Sequence, residues 1–112
     1  MFYQHQTDGY KDALPGIKIK TLVYGEKSLL TEFRLNAGSR LPSHSHPHEQ
    51  SGYLVKGRMR LTIGDKTFDV EPGDSWCVTG NLEHRAEILE DSVAVEVFSP
   101  VREDYLPESA KK

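Results

Sequence analysis

Three histidines and a glutamine fall within seven residues of this 112-residue chain, His44, His46, His48 and Gln50, with Pro47 among them. Neutral imidazole is the commonest metal-ligating side chain. Two histidines at i and i+2 of an extended segment face the same way and can reach one ion. Six residues of unbroken strand would carry Gln50 roughly 20 Å from His44. Metal–ligand bonds are about 2 Å long, so the two share an ion only if the chain doubles back between them. Pro47 marks that reversal, because it lacks a backbone donor and interrupts strand pairing. The spacing predicts one strand ending at His46, a turn over Pro47, His48 and Glu49, and a new strand from Gln50. His84, just after a Gly-Asn turn, is the further candidate ligand. His44, His46, Gln50 and His84 form a three-histidine, one-oxygen set suited to one divalent transition metal such as Zn, Ni, Mn, Fe or Cu. His48 lies in the turn and is placed outside this set; Glu49 has the wrong parity to replace Gln50. The plain alternative is a histidine-rich surface loop.

Short alternating segments must position these groups. Residues 17–23 alternate apolar residues with lysine, and residues 28–35 set Leu29, Thr31, Phe33 and Leu35 against Glu32 and Arg34. Such period-two patterns read as strands with one wet face. Tyr53, Val55, Met59, Leu61 and Ile63 share a parity, and Gly64-Asp65 is a two-residue hairpin loop leading to Phe68 and Val70. Gly57 interrupts the long strand and predicts a bulge or bend. Turns are expected at 72–74, 79–81 and 90–91, with a short strand over 75–78. His84, Ala86 and Ile88 share one face. In residues 92–99, Val93, Val95 and Val97 oppose Ala94, Glu96 and Phe98. Trp76, Cys77 and Val78 alternate, and Cys77 is read as an inert core thiol. No helical periodicity of useful length occurs, so eight or nine short strands predict an all-β sandwich or barrel. The charged segment 103–112 has no pattern, and its last residues are expected to fray.

The whole chain sets bounds. Its length fits a single domain over residues 1–112. With 37% hydrophobic and 28% charged residues it has the composition of a soluble globular chain. A net charge of −3 argues against a nucleic-acid surface. No apolar run approaches the roughly 20 residues that span a bilayer, and the first residues contain no signal-like apolar region. A single cysteine suits a reducing compartment, so the expected location is cytoplasmic.

The ordered motif Gly38, five residues, His44-x-His46, three residues, Gln50, six residues, Gly57 resembles the first motif of the cupins, which usually carry Glu where this chain has Gln50. Gly73, five residues, Thr79, Asn81 and His84 resembles the second motif, with Thr79 and Asn81 in place of the usual Pro and Gly. The resemblance spans residues 38–88 and implies a double-stranded β-helix, a jelly-roll-like barrel of two antiparallel sheets, with the ion inside. The strings HSHPHEQ and VFSPVREDY are similar to the small cupins of pectin and alginate breakdown, the KdgF type, which open unsaturated uronate monosaccharides to linear keto sugars. In that type an acid, usually Asp, precedes a phenylalanine by two positions, and an arginine follows it by four. Here these are Glu96, Phe98 and Arg102. The resemblance also implies a homodimer.

The same chemistry follows from the residues. Three histidines and a neutral amide leave a divalent ion its full charge, which favours anionic oxygen ligands. Opening an enol hemiacetal needs proton transfer, which Glu96 supplies as general acid/base, and a group for the substrate carboxylate, which Arg102 supplies as a bidentate fork. Phe98, Tyr53 and Arg60 are expected to contact this small anionic sugar. The Val93, Val95 and Val97 face would then pack between sheets or against a second subunit. Two other readings stay open: a metal-dependent dioxygenase of the quercetinase kind, and a module that binds or senses a small molecule without turning it over.

Overall fold

The structure, a computed structural model, describes residues 1–110. It contains eight strands: β1 Lys11–Leu14, β2 Ile17–Tyr24, β3 Leu29–Leu35, β4 Arg40–His44, β5 Glu49–Ile63, β6 Lys66–Val70, β7 Ser75–Val78 and β8 His84–Ser99. Two 3-10 turns follow, Glu103–Tyr105 and Glu108–Ala110. Every strand pairing is antiparallel.

β5 and β8 are the long strands, and they pair along almost their whole length. One half of this pair continues through β3, β2 and β1 on one side and β7 on the other. The other half is flanked by β4 and β6. Two sheets therefore share two bent strands and fold over one core, the two-sheet all-β barrel that the sequence predicts. The core contains Ile17, Leu29, Phe33, Leu54, Met59 and Phe98, all at most 5% exposed.

The bend has a local cause in Gly57. Its φ of +101° lies where L side chains are strained, and a Cβ there would stand 2.0 Å from Ser92 Oγ. Around it the β5–β8 register slips repeatedly between Leu54 and Met59. Inward-facing residues are Gln50, Gly52 and Leu54 before the slip, and Met59 and Leu61 after it. This corrects the single parity expected for the segment: Tyr53 and Val55 face outward, half exposed, because a bulge shifts the pleat by one residue. β8 has no turn at Glu90-Asp91; it runs through and keeps its even-numbered residues inward, apart from exposed Glu90.

Other expectations meet the structure unevenly. Gly64-Asp65 closes the β5–β6 hairpin, with Gly64 at φ +61°. β1, short and exposed, had no recognisable alternation. Cys77 is exposed rather than in the core, since alternation turns it outward between Trp76 and Val78. The segment after Ser99 does not hang free: Tyr105 packs edge-on against Phe33 and Phe98, and its carbonyl accepts a hydrogen bond from Thr21. Lys111 and Lys112, the end of the segment expected to fray, lie outside the described residues.

Candidate metal centre

β4 ends at His44, two residues earlier than the expected strand end, and the reversal occupies residues 45–48 before β5 starts at Glu49. The turn at Thr79-Gly80-Asn81 is docked on this reversal. The Asn81 amide donates to the His46 carbonyl at 2.7 Å. Gly80 lies so close to Pro47 that a Cβ would meet its carbonyl oxygen at 2.6 Å. Asn81 itself takes a left-handed φ of +66°, which its short polar side chain tolerates better than most. The two turns, about 35 residues apart in sequence, thus fix the approach of His46 to His84. His84 opens β8, where it faces His44 on one side and Ile63 on the other.

One possible ligand atom from each of His44, His46 and His84 lies within 4.8 Å of the others. Their ring centroids are 4.1 Å apart for His44–His84, 5.0 Å for His46–His84 and 5.7 Å for His44–His46. Each ring has its Nδ1 against a backbone carbonyl: Pro42 at 2.8 Å, His48 at 3.0 Å and Leu82 at 2.9 Å respectively for His44, His46 and His84. A carbonyl only accepts, so each Nδ1 carries the proton and each Nε2 presents a lone pair. His84 Nε2 is buried with no hydrogen-bond partner. Burial lowers the proton affinity of His46 and His84, and the Arg102 charge and neighbouring histidines lower it further. Neutral imidazole is the form that binds metal.

Gln50 lies beside the three histidines. Its amide nitrogen donates to Glu96 Oε1, which orients the amide and turns Oε1 toward His46. Gln50 Oε1 stands 3.0 Å from His46 Nε2. With the tautomer fixed, both atoms are acceptors and cannot bond each other; a cation between them resolves the conflict. Two donors on one ion at bonds near 2.1 Å and a right angle are about 3 Å apart. The three histidines therefore suit a divalent ion, with the Gln50 oxygen beside them. His48 contributes its carbonyl to His46 and an edge-on ring contact, and is not in the three-histidine cluster.

Glu96 sits beside this set at 5% exposure. Its Oε1 accepts from Gln50 and, at 3.1 Å, from Trp76 Nε1, which leaves Oε2 without a hydrogen bond. Burial raises its pKa, opposed by those two donors and by Arg102. Trp76 is a contributor that alternation did not reveal. A cue was present, since a partly buried indole seeks an acceptor. Its ring fills the space over Gly52, where a Cβ would come within 2.2 Å.

Arg102, Phe98 and Tyr105 border the same cavity of about 60 Å³. The Arg102 guanidinium lies over Tyr105 at 4.0 Å and Phe98 at 5.1 Å, and Phe98 meets the His46 ring edge-on. Two expected contacts are not at the cavity. Tyr53 faces outward through the register slip, half exposed. Arg60 lies on the outer charged face, 3.4 Å from Asp69 and 3.9 Å from Glu87, because residues on either side of it, Met59 and Leu61, take the inward positions.

Residues 31–100 match the family model described as a cupin domain. The pectin degradation protein KdgF of Dickeya dadantii (strain 3937) is 28% identical over 93 residues, 81% of this chain and 84% of that protein. Among solved structures, KdgF from Halomonas sp. superposes with a TM-score of 0.89 at 28% identity, over 95% of this chain and 100% of that one. An RmlC-like cupin from Shewanella frigidimarina NCIMB 400 shares the fold, with a TM-score of 0.88 at 24% identity over 94% and 95% of the two chains.

Proposed function

The chain belongs to the cupin-domain family and is KdgF-like within it, and from that premise we propose that it opens the ring of an unsaturated uronate, or a related acidic sugar, to a linear keto sugar. One observation carries this reading: the Gln50 amide nitrogen donates to Glu96 while its oxygen stands 3.0 Å from His46 Nε2, so one side chain touches both the candidate ligands and the candidate acid/base. His44, His46, Gln50 and His84 would hold the ion. When bound, such an ion supplies Lewis acidity toward a sugar oxygen.

The remaining chemistry belongs to the side chains. Arg102, held flat by Tyr105 and Phe98, recognises the substrate carboxylate. Phe98 supplies the apolar floor. The anomeric hydroxyl loses its proton as the bond from the anomeric carbon to the ring oxygen breaks and the ring oxygen takes up a proton, giving an aldehyde and an enol. The enol hydroxyl then gives up its proton as the adjacent alkene carbon takes one up, which gives the ketone. The net change is an isomerisation without oxidant. Glu96 would exchange these protons at Oε2, with its carboxyl raised above the ordinary range by burial. The cavity of about 60 Å³ is too small for a whole sugar and would admit only its reacting oxygens, with Arg102 among its lining.

Two further proposals accompany this reading. The outward faces of β5 and β8 place Tyr53 opposite Val95 and Ser51 opposite Val97, with Val55 nearby and exposed. This apolar face is assigned to a homodimer, which analytical ultracentrifugation tests: a monomer at micromolar concentration refutes it. No helix among the described residues is long and apolar enough to cross a membrane, and a cytoplasmic location is proposed.

The activity is tested by adding a 4,5-unsaturated galacturonate monomer to metal-loaded protein without oxygen and following the enol absorbance. Rapid loss with wild type, with none for His84→Ala and a loss in kcat of about a hundredfold or more for Glu96→Gln, supports the assignment. Equal slow loss in all three refutes it. A reaction that requires oxygen refutes it as well.

A further inference from the structure

The turn after Arg102 contains an acid that the reading above does not use. Arg102 Nε donates to Asp104 Oδ1 at 3.2 Å, and Nη2 donates to Oδ2 at 2.7 Å. This is the two-point geometry by which a guanidinium recognises a free carboxylate. The Arg102 side chain is 16% exposed and that of Asp104 58%, so the acid is the more exposed member of a pair whose guanidinium borders the cavity. We infer that Asp104 is an internal competitor for Arg102, which keeps the guanidinium from capturing anions that bind at one point only. The inference rests on the reading of Arg102 as the carboxylate-binding group.

Asp104 has two opposing effects on an incoming carboxylate. It steadies the guanidinium, which would help. Yet the plane is already held by the Tyr105 and Phe98 rings, so little order depends on the acid. Against the ligand stand its negative charge and its hold on two of the five N–H donors. The competing carboxylate is tethered two residues away and acts at an effective concentration of millimolar or more. A small anion such as acetate has nothing else to offset that competition. A uronate also brings hydroxyl and ring oxygens to the cluster of His44, His46 and His84, of which His44 and His84 line the same cavity. That second anchor offsets the competition at Arg102 without removing it. Asp104 thus penalises all anions by a similar factor, and only a ligand with a second anchoring point keeps useful affinity.

The test is calorimetric binding to the metal-loaded protein, with D-galacturonate, its neutral analogue galactose, and acetate as a displacer of galacturonate. Wild type, Asp104→Asn and Arg102→Gln are compared, with Asp104→Ser as a second removal of the charge. Asp104 lies in an exposed turn, and unchanged thermal unfolding checks each variant. Asp104→Asn and Asp104→Ser are expected to bind galacturonate and acetate about three- to tenfold more tightly, as loss of one partly screened charge implies, with galactose unchanged. Unchanged or weaker galacturonate binding in both, while Arg102→Gln loses it, overturns the inference alone and makes Asp104 a support for Arg102. An equal gain for galactose also overturns it. If Arg102→Gln binds galacturonate as wild type does, the carboxylate assignment fails and the inference with it.

Discussion

Replacing Gln50 with glutamate would put two carboxyl groups in contact where an amide now donates to Glu96. Gln50 is 7% exposed and Glu96 5%, so neither can turn to water. The substitution removes a donor that lowers the Glu96 pKa and adds a like charge beside a carboxyl already raised by burial. At about 4 Å between charge centres and an effective dielectric near 20, two carboxylates repel by about 4 kcal/mol. That corresponds to about three pKa units on the second deprotonation of the pair. The folded variant would hold a proton that the unfolded chain releases near the ordinary carboxylate value. Stability therefore falls as pH rises through the range above that value, because the native state binds more protons there. The experiment is urea unfolding of metal-free Gln50→Glu and wild type at pH 5 and pH 8 with chelator present. The variant should lie within about 1 kcal/mol of wild type at pH 5 and about 2–4 kcal/mol below it at pH 8. A deficit of the same size at both values refutes the contact between positions 50 and 96. An ion should restore most of the loss at pH 8, since its charge offsets the repulsion.

Other outcomes follow from the same geometry. Gly57→Ala should destabilise the protein by about 2–4 kcal/mol in equilibrium unfolding, since it combines a positive φ with a Cβ driven into Ser92. Metal-free wild type should gain stability as pH rises through the ordinary imidazole range and lose it toward acid. His46 and His84 have lowered pKa values in the folded chain, so the unfolded chain binds more protons there; thermal unfolding from pH 5 to pH 8 with chelator reads this. Divalent metal should raise wild-type stability by about 4 kcal/mol at a thousandfold excess over Kd, and His84→Ala should lose most of that gain while keeping its far-ultraviolet circular dichroism.

Much was legible from local pattern. Inward Leu29, Thr31, Phe33 and Leu35, the Gly64-Asp65 hairpin and the all-β class follow from period-two alternation and turn chemistry, which act over a few residues. The histidine spacing also marked its own reversal, because extended chain cannot bring position 50 back to position 44. Resemblance placed Glu96 and Arg102 as candidates, but alternation alone left open which face of residues 92–99 was inward.

Other features depend on contacts distant in sequence. The slip at Gly57 moved Tyr53 and Val55 to the outside, and its size depends on how β5 meets Asp91 and Ser92. Arg60 lost its place at the site for the same reason. Trp76, Asp104 and Tyr105 gained theirs through contacts with Glu96, Arg102 and the Phe98 ring. Sequence by itself determined the residue types able to bind a metal, move a proton and hold an anion, since those are properties of single side chains and short spacings. Tertiary structure alone decided which faces turn inward and which groups meet, because one residue of register reverses every side chain that follows.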